Sequence, residues 1–444
     1  MSGSRPEAPA VAGAARETAQ AADAARFDAV AARRRFPALR ETGDRETFFD
    51  NAAGAQVPDE VVEAVRDHYA KHNVQRGGRY ALSRAVDDQI AETRRLLAAF
   101  VNAASPKEIL FGPNATSLTR AIAEGARPLF RPDDRVVVTQ LDHESNVGPW
   151  LRLERDGVKP VFWKVRGREA RLDPDDLRSV LRSGGGRVRL LAMPLASNAT
   201  GRVADVAAAA AIAREAGALV FVDAVHYGPH GPIDAPALGA DFLAFSGYKI
   251  FGPHMGFLWG RADVLRTLRP AREFFIPDQA PDAFEAGTQT FEGIAGMAGA
   301  MRYLASWGAD AGTEGGAKGE AEAGRAALRT AMERLRAYEA TLSAALLREL
   351  ATIPRLSIFG EADPDRVAER VPTVAFTIDG VPPAAIVERL AERAIHARDG
   401  HMYAPRLLEA SGIDPATGVV RVSLCHYNRV EEIVRLGEAL RSLG

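Results

Sequence analysis

The chain has 444 residues, 47% of them hydrophobic and 26% charged, which fits a soluble globular protein with room for two structural units. Its formal net charge of −2 gives no electrostatic reason to expect nucleic acid or an anionic membrane as partner. The single cysteine, Cys425, excludes an internal disulfide and fits a reducing, cytoplasmic setting.

Residues 1–26 are Ala-rich but broken by Pro, Glu and Asp, so they lack the continuous apolar core of a secretory signal and read as a flexible tail. No apolar run is long enough to predict a membrane-spanning helix. "VPDEVVEAVRDHYAKH" and "SRAVDDQIAETRRLLAAF" carry apolar residues at helical spacing, the second with Ser83 as its expected N-cap. "EILFG" then leads into a helix expected to start near Thr116. "RVVVTQ", "KPVFWKV", "RLLAMP" and "ALVFVDA" are short apolar runs separated by helical stretches such as "DVAAAAAIAREAG". That alternation predicts a mostly parallel sheet covered on both faces, with ligands outside the carboxyl ends of its strands.

Residues 27–300 are expected to form a large domain whose first part packs on a smaller C-terminal α/β domain, 301–444. The stretch 308–324, "GADAGTEGGAKGEAEAG", lacks apolar anchors and reads as a mobile surface insertion ahead of a long helix. Near the end, Asn428 with Glu431 three positions on is the expected cap of the last helix.

Two charged residues sit where apolar strands end. "LVFVDAVH" places Asp223 at the close of one strand, and "DFLAFSGYK" places Lys249 just after the next. A carboxylate there needs a donor or cation to face. A partly desolvated lysine is an amine nucleophile toward an aldehyde. Together they match the needs of pyridoxal 5′-phosphate: a Schiff-base lysine and an acidic partner for the ring nitrogen. "FGPNATSLTR" turns into a helix at Ala115–Thr116, where free N–H groups make an anion site. Ser246 offers a further hydroxyl.

From about residue 46 to 440 the chain resembles the class V aminotransferase family, and within it the cysteine desulfurase-like members. "FFDNAAGAQVP", "FGPNATS", "DHESNVGPW", "LASNATG", "FVDAVH", "FSGYKIFGP", "FEAGTQ" and "RVSLCHYN" fall in the order of that family's motifs. The resemblance implies a fold-type I pyridoxal-phosphate-dependent enzyme with a mostly parallel sheet, helices on both faces and a small C-terminal α/β domain. It implies a homodimer with shared active sites and an amino-acid substrate. It also implies roles: Lys249 as the Schiff-base lysine that later moves the α-proton, Asp223 facing the ring nitrogen, and His143 stacked on the ring. His226 and Asn198 would lie near the ring hydroxyl. Ala115, Thr116, Ser246 and Tyr248 would hold the phosphate, joined by Thr288 of the neighbouring subunit. Arg421 would grip the substrate carboxylate. No metal is expected among these residues.

The chain departs from the desulfurases where they carry a sulfur-accepting loop cysteine. Here the stretch reads "RDGHMYAPRL", with Tyr403 at that place and His401 beside it; both are expected to line the substrate pocket. Persulfide chemistry therefore gives way to β-elimination of the C–S lyase type as the expected reaction. Epimerase, aminotransferase and a catalytically silent cofactor-binding protein are the alternatives. His226 stands where the family has Gln, and a histidine can change protonation near neutral pH.

Overall fold

The computed structural model describes residues 27–309 and 317–443, so the expected N-terminal tail and residues 310–316 of the expected insertion lie outside the described residues. From Ala317 the chain is already helical. The second half of the Ala/Glu-rich stretch is thus the first turns of a helix, as its high intrinsic helix propensity favours.

The large sheet has seven strands: β1 (Ile109–Gly112), β2 (Arg135–Thr139), β3 (Lys159–Trp163), β4 (Val188–Pro194), β5 (Leu219–Asp223), β6 (Phe242–Ser246) and β7 (Gly256–Gly260). They lie in the order β1-β7-β6-β5-β4-β2-β3. β6, β5, β4, β2 and β3 run parallel, and β7 is antiparallel to both of its neighbours. All five positions of β6 and of β7 are buried, as expected for strands covered on both faces. Helix α1 (Asp59–Lys71) and helix α2 (Ala81–Val101) lie on one face, and α3 (Ala115–Ala126) packs against β6 and β7.

The expected cap of α2 is corrected. Tyr80 precedes the helix without a side-chain cap, and Ser83 lies inside the first turn. Its hydroxyl accepts from Gly78 N at 2.7 Å and donates to Gln75 O at 2.6 Å. The serine serves the loop that folds back on the helix rather than the helix end.

Helix α4 (Phe291–Ser306) packs on α1 and α2, and the long α5 (Ala317–Ala351) follows. Leu328, Met332 and Leu335 of α5 sit in the core beneath the large sheet. Leu342, Leu346 and Leu350 sit in the core of the small sheet. One helix therefore serves both cores. The small sheet is antiparallel, with strands β8 (Leu356–Phe359), β9 (Thr373–Ile378), β10 (Arg398–Gly400) and β11 (Val419–Ser423) in the order β8-β9-β11-β10. The segment ahead of α1 joins this unit: Thr47 and Phe48 pair with Ile395 and His396, and Phe49 is buried in the small core.

The last helix, α6 (Val430–Arg441), has Arg429 at its N-cap position, one residue later than expected, and the Arg429 N–H donates to Glu432 Oε2 at 2.8 Å. Asn428 turns inward instead. Its Oδ1 accepts from Cys425 N at 2.9 Å and its Nδ2 donates to Phe48 O at 3.0 Å, tying the N-terminal segment to the strand end.

Candidate active site

Parallel strands end at one rim, and the register brings the predicted charges together there. Pro194 of β4 is level with Asp223 of β5, and Asp223 is level with Ala244 of β6. Beyond Ser246 the chain makes a tight turn, Gly247–Lys249, which folds the lysine back over the strand ends. Thr116, His143, Asn198, Asp223, His226, Ser246, Tyr248 and Lys249 line one cavity, with Ser145 and Pro194.

The floor of this cavity is the start of α3. Asn114 caps Ser117 N at 2.9 Å, and its carbonyl accepts from Leu118 N, which leaves the first N–H groups of the helix to an outside acceptor. Ala115 contributes only its backbone, whereas Thr116 adds a hydroxyl. Gly256 makes this placement possible, since a Cβ there would lie 2.4 Å from the Asn114 carbonyl carbon. The hydroxyl of Tyr248 faces Ser246, and its ring stacks on His254 at 5.0 Å.

Electrostatics fit an amine meant to react. Burial, reinforced by the nearby Arg421 cation, pulls Lys249 from 10.5 to about 8, against the opposing pull of Asp223 and Asp50. Burial raises the Asp223 carboxyl, while the Val225 N–H, at 2.9 Å, and Lys249 work against that rise. Asp142 is pushed up further, by burial and by Asp223, and is held by Thr139 at 2.9 Å and Asn146 at 3.1 Å.

Burial, with help from Lys249 and Arg421, lowers His143 to about 4, so its ring is neutral at working pH. Nδ1 of that ring accepts from Ser145 N at 3.0 Å and pairs with Ser145 Oγ at 2.8 Å, which fixes its plane. His226 corrects the expectation drawn from its ordinary titration range. Burial and the neighbouring His230, Lys249 and Arg421 hold it well below that range, so it stays neutral near pH 7. A ring nitrogen of His226, Nε2, lies 3.1 Å from the hydroxyl of Thr373 on β9.

Arg421 is buried on β11. Nη1 donates to Asn198 O at 3.0 Å and Nη2 to Asp50 Oδ1 at 3.2 Å, while Nε has no partner among the described residues. Asp50 is also gripped by Arg398, at 2.7 Å from Nη2. Asn198 donates to Met402 O at 2.7 Å, and its Oδ1 is likewise buried without a partner.

Five predicted residues are not among those lining this cavity: the buried Ala115 and Arg421, and the exposed Thr288, His401 and Tyr403. Thr288 is exposed, 3.5 Å from Gln75 Nε2. His401 is exposed and accepts from Tyr403 N at 3.0 Å. Tyr403 is 63% exposed, but its ring centroid is 5.4 Å from that of His143, so it stands over the cavity mouth. Met402 and Tyr403 both have left-handed backbone, φ 52° and 55°. Non-glycine residues keep that conformation only where their surroundings impose it, and such strain gathers at functional sites. Here the surroundings include Asn198 on the Met402 carbonyl and Glu144 N on the Tyr403 carbonyl, at 2.8 Å.

Asp50, Asp142, Ser145 and Thr373 went unassigned from sequence. Asp50 and Asp142 lie within the quoted motifs "FFDNAAG" and "DHESN", while Thr373 reaches in from the small sheet and leaves no local signal.

The donor set fits pyridoxal phosphate. An amine held near neutral faces a buried carboxylate across one cavity, a helix N-terminus stands ready for a phosphate, and Asn198 Oδ1 and Arg421 Nε lack partners that a bound group would supply.

The aminotransferase class-V family model matches residues 47–322 and 316–436. The aminotransferase-like protein FGM3 of Gibberella zeae is 32% identical over 418 residues, covering 92% of this chain and 96% of that protein. A probable cysteine desulfurase of Streptomyces coelicolor is 31% identical over 438 residues, covering 93% and 96%. Among solved structures, the cysteine desulfurase CsdA of Escherichia coli superposes with a TM-score of 0.78 at 28% identity, over 94% of this chain and 98% of that one. The chain belongs to the aminotransferase class-V family and is a pyridoxal-phosphate-dependent enzyme of fold type I.

Proposed function

We propose that the enzyme cleaves the Cβ–S bond of a cysteine-type amino acid by β-elimination, releasing the sulfur as a thiol without passing it to a cysteine of the chain. One observation carries this reading: the only thiol, Cys425, is 1% exposed and burial holds it well above its ordinary range, while Tyr403 stands at the cavity mouth. An enclosed sulfur that does not line the cavity is out of reach of a substrate there.

When bound, pyridoxal phosphate supplies an electron sink conjugated to the substrate Cα. Asp223 holds a positive charge at the far side of the cavity, where Lys249 is the cation that acts on its carboxylate among the described residues. Arg421 orients the substrate carboxylate through Nε and a shared Nη2, with Asp50 as the acceptor that yields. Lys249 Nζ takes the proton from Cα, its pKa lowered to about 8 leaving a neutral fraction near pH 7 for that task. As the Cβ–S bond breaks, the sulfur leaves with the bonding pair, and the Tyr403 hydroxyl delivers the proton that turns it into a thiol. Water then completes the products, a 2-keto acid and ammonium. The neutral ring of His143 covers one side of the site and keeps bulk water from it.

This reading assigns Tyr403 and His401 to the substrate pocket, and gives Thr288 to the partner site of a homodimer. Its test is a panel of S-substituted cysteines and unsubstituted amino acids with product analysis. Equal yields of keto acid and thiol support it. Alanine as the product, or exchange of the Cα proton without keto acid, refutes it.

A further inference from the structure

Behind the cofactor cavity, three segments distant in sequence bring together a histidine, a carboxylate and the chain's only thiol. His230 follows β5, Glu339 lies midway along α5, and Cys425 follows β11; they are 2%, 1% and 1% exposed. One donor atom from each lies within 4.8 Å of the others. His230 Nδ1 is 2.8 Å from Glu339 Oε2, but Glu339 Oε1 is buried with no partner among the described residues.

A fully buried carboxylate with one bare oxygen is costly, and a second anion-forming group beside it adds to that cost. A divalent cation removes both penalties at once. With Cys425 as thiolate, Glu339 as carboxylate and His230 neutral, the cluster and the ion sum to zero charge, which a dry interior tolerates.

We propose that His230, Glu339 and Cys425 form a structural site for a zinc-class divalent ion that clamps the large sheet, the long helix α5 and the small sheet together. Nitrogen, sulfur and carboxylate donors are the set this ion prefers, at about 2.0–2.3 Å from the metal. Donors at that distance from one ion lie about 3.3–3.8 Å apart, so binding draws the three donor atoms inward from their present separation of within 4.8 Å. His230 ligates through Nδ1 with its hydrogen on Nε2, Glu339 spans the ion with both oxygens and so gives Oε1 its missing partner, and binding releases the thiol proton. The elements joined also hold the active site. The ring of His226, which lines the cofactor cavity, meets that of His230 edge-on at 5.6 Å. The site uses none of the cofactor-binding residues, so it stands or falls separately from the reaction proposed above.

Enzyme from zinc-replete cells, purified without a metal-affinity tag, is expected to carry one equivalent of zinc by elemental analysis. Cys425→Ser and His230→Gln are expected to retain at least roughly tenfold less. Because Cys425 is the only thiol, wild type alone gives a second readout that does not depend on a variant folding. Protein from cobalt-replete cells is expected to show a sulfur-to-cobalt charge-transfer band in the near ultraviolet. Wild type without metal from zinc-replete cells, absence of that band from cobalt-replete protein, or unchanged metal content in Cys425→Ser would overturn the proposal.

Discussion

Lys249→Met is expected to abolish turnover and yet stabilise the apo-protein at neutral pH. The ammonium form of Lys249 is disfavoured in the folded chain, where burial and Arg421 lower it from 10.5 to about 8. That displacement corresponds to about 3 kcal/mol between the two protonation states. Between pH 8 and 10.5 the unfolded chain binds more protons at this residue than the folded one, so wild-type stability rises with pH across that window. Below it the full penalty applies. Methionine keeps an unbranched apolar stem and brings no charge. Asp223 and Asp50 lose a favourable neighbour, which offsets part of the gain. The net expectation is about 1–3 kcal/mol of added stability at pH 7, shrinking toward zero above pH 10.5. Urea unfolding of both apo-proteins at pH 7 and pH 11 measures it. A variant no more stable than wild type at pH 7, or a gap that ignores pH, refutes the assignment of Lys249 as a desolvated amine.

Apo-protein should capture added pyridoxal phosphate at a rate that climbs with pH and levels off above about 8, read as the growth of visible absorbance; a midpoint near 10 contradicts it. Tyr403→Phe keeps the ring against His143 but removes the proposed acid, so kcat should fall on the order of 10²-fold or more with cofactor content unchanged. Gly256→Ala would force the start of α3 away from β7, costing about 1–3 kcal/mol of stability and weakening cofactor retention, measured by thermal melts and by dialysis.

Strand ends were the most legible part of the chain. Asp223 and Lys249 each break an apolar run, and a parallel sheet places such breaks at one rim, so the sequence pattern was enough to pair them. Thr116 was legible for a similar reason, because a turn through Gly-Pro-Asn marks the helix start. What escaped is set by contacts between distant segments. Thr373 meets His226 across the two sheets, and the Asp50 carboxylate meets Arg421 and Arg398 only because the N-terminal segment joins the small unit. The neutrality of His226 is likewise a product of burial and of three neighbours that no local pattern reveals. Ser83 and Asn428 looked like helix caps by residue type, but each has stronger partners elsewhere: Ser83 in a loop, Asn428 at the end of β11.

Borohydride reduction of the holoenzyme followed by peptide mass spectrometry tests the central assignment most directly. The chain has six lysines, at 71, 107, 159, 164, 249 and 318, and among the described side chains only Lys249 combines burial with a place in the cavity. The reduced pyridoxyl group is expected on the peptide that contains Lys249 and on no other. An adduct on any of the remaining five, or none at all, would contradict the account.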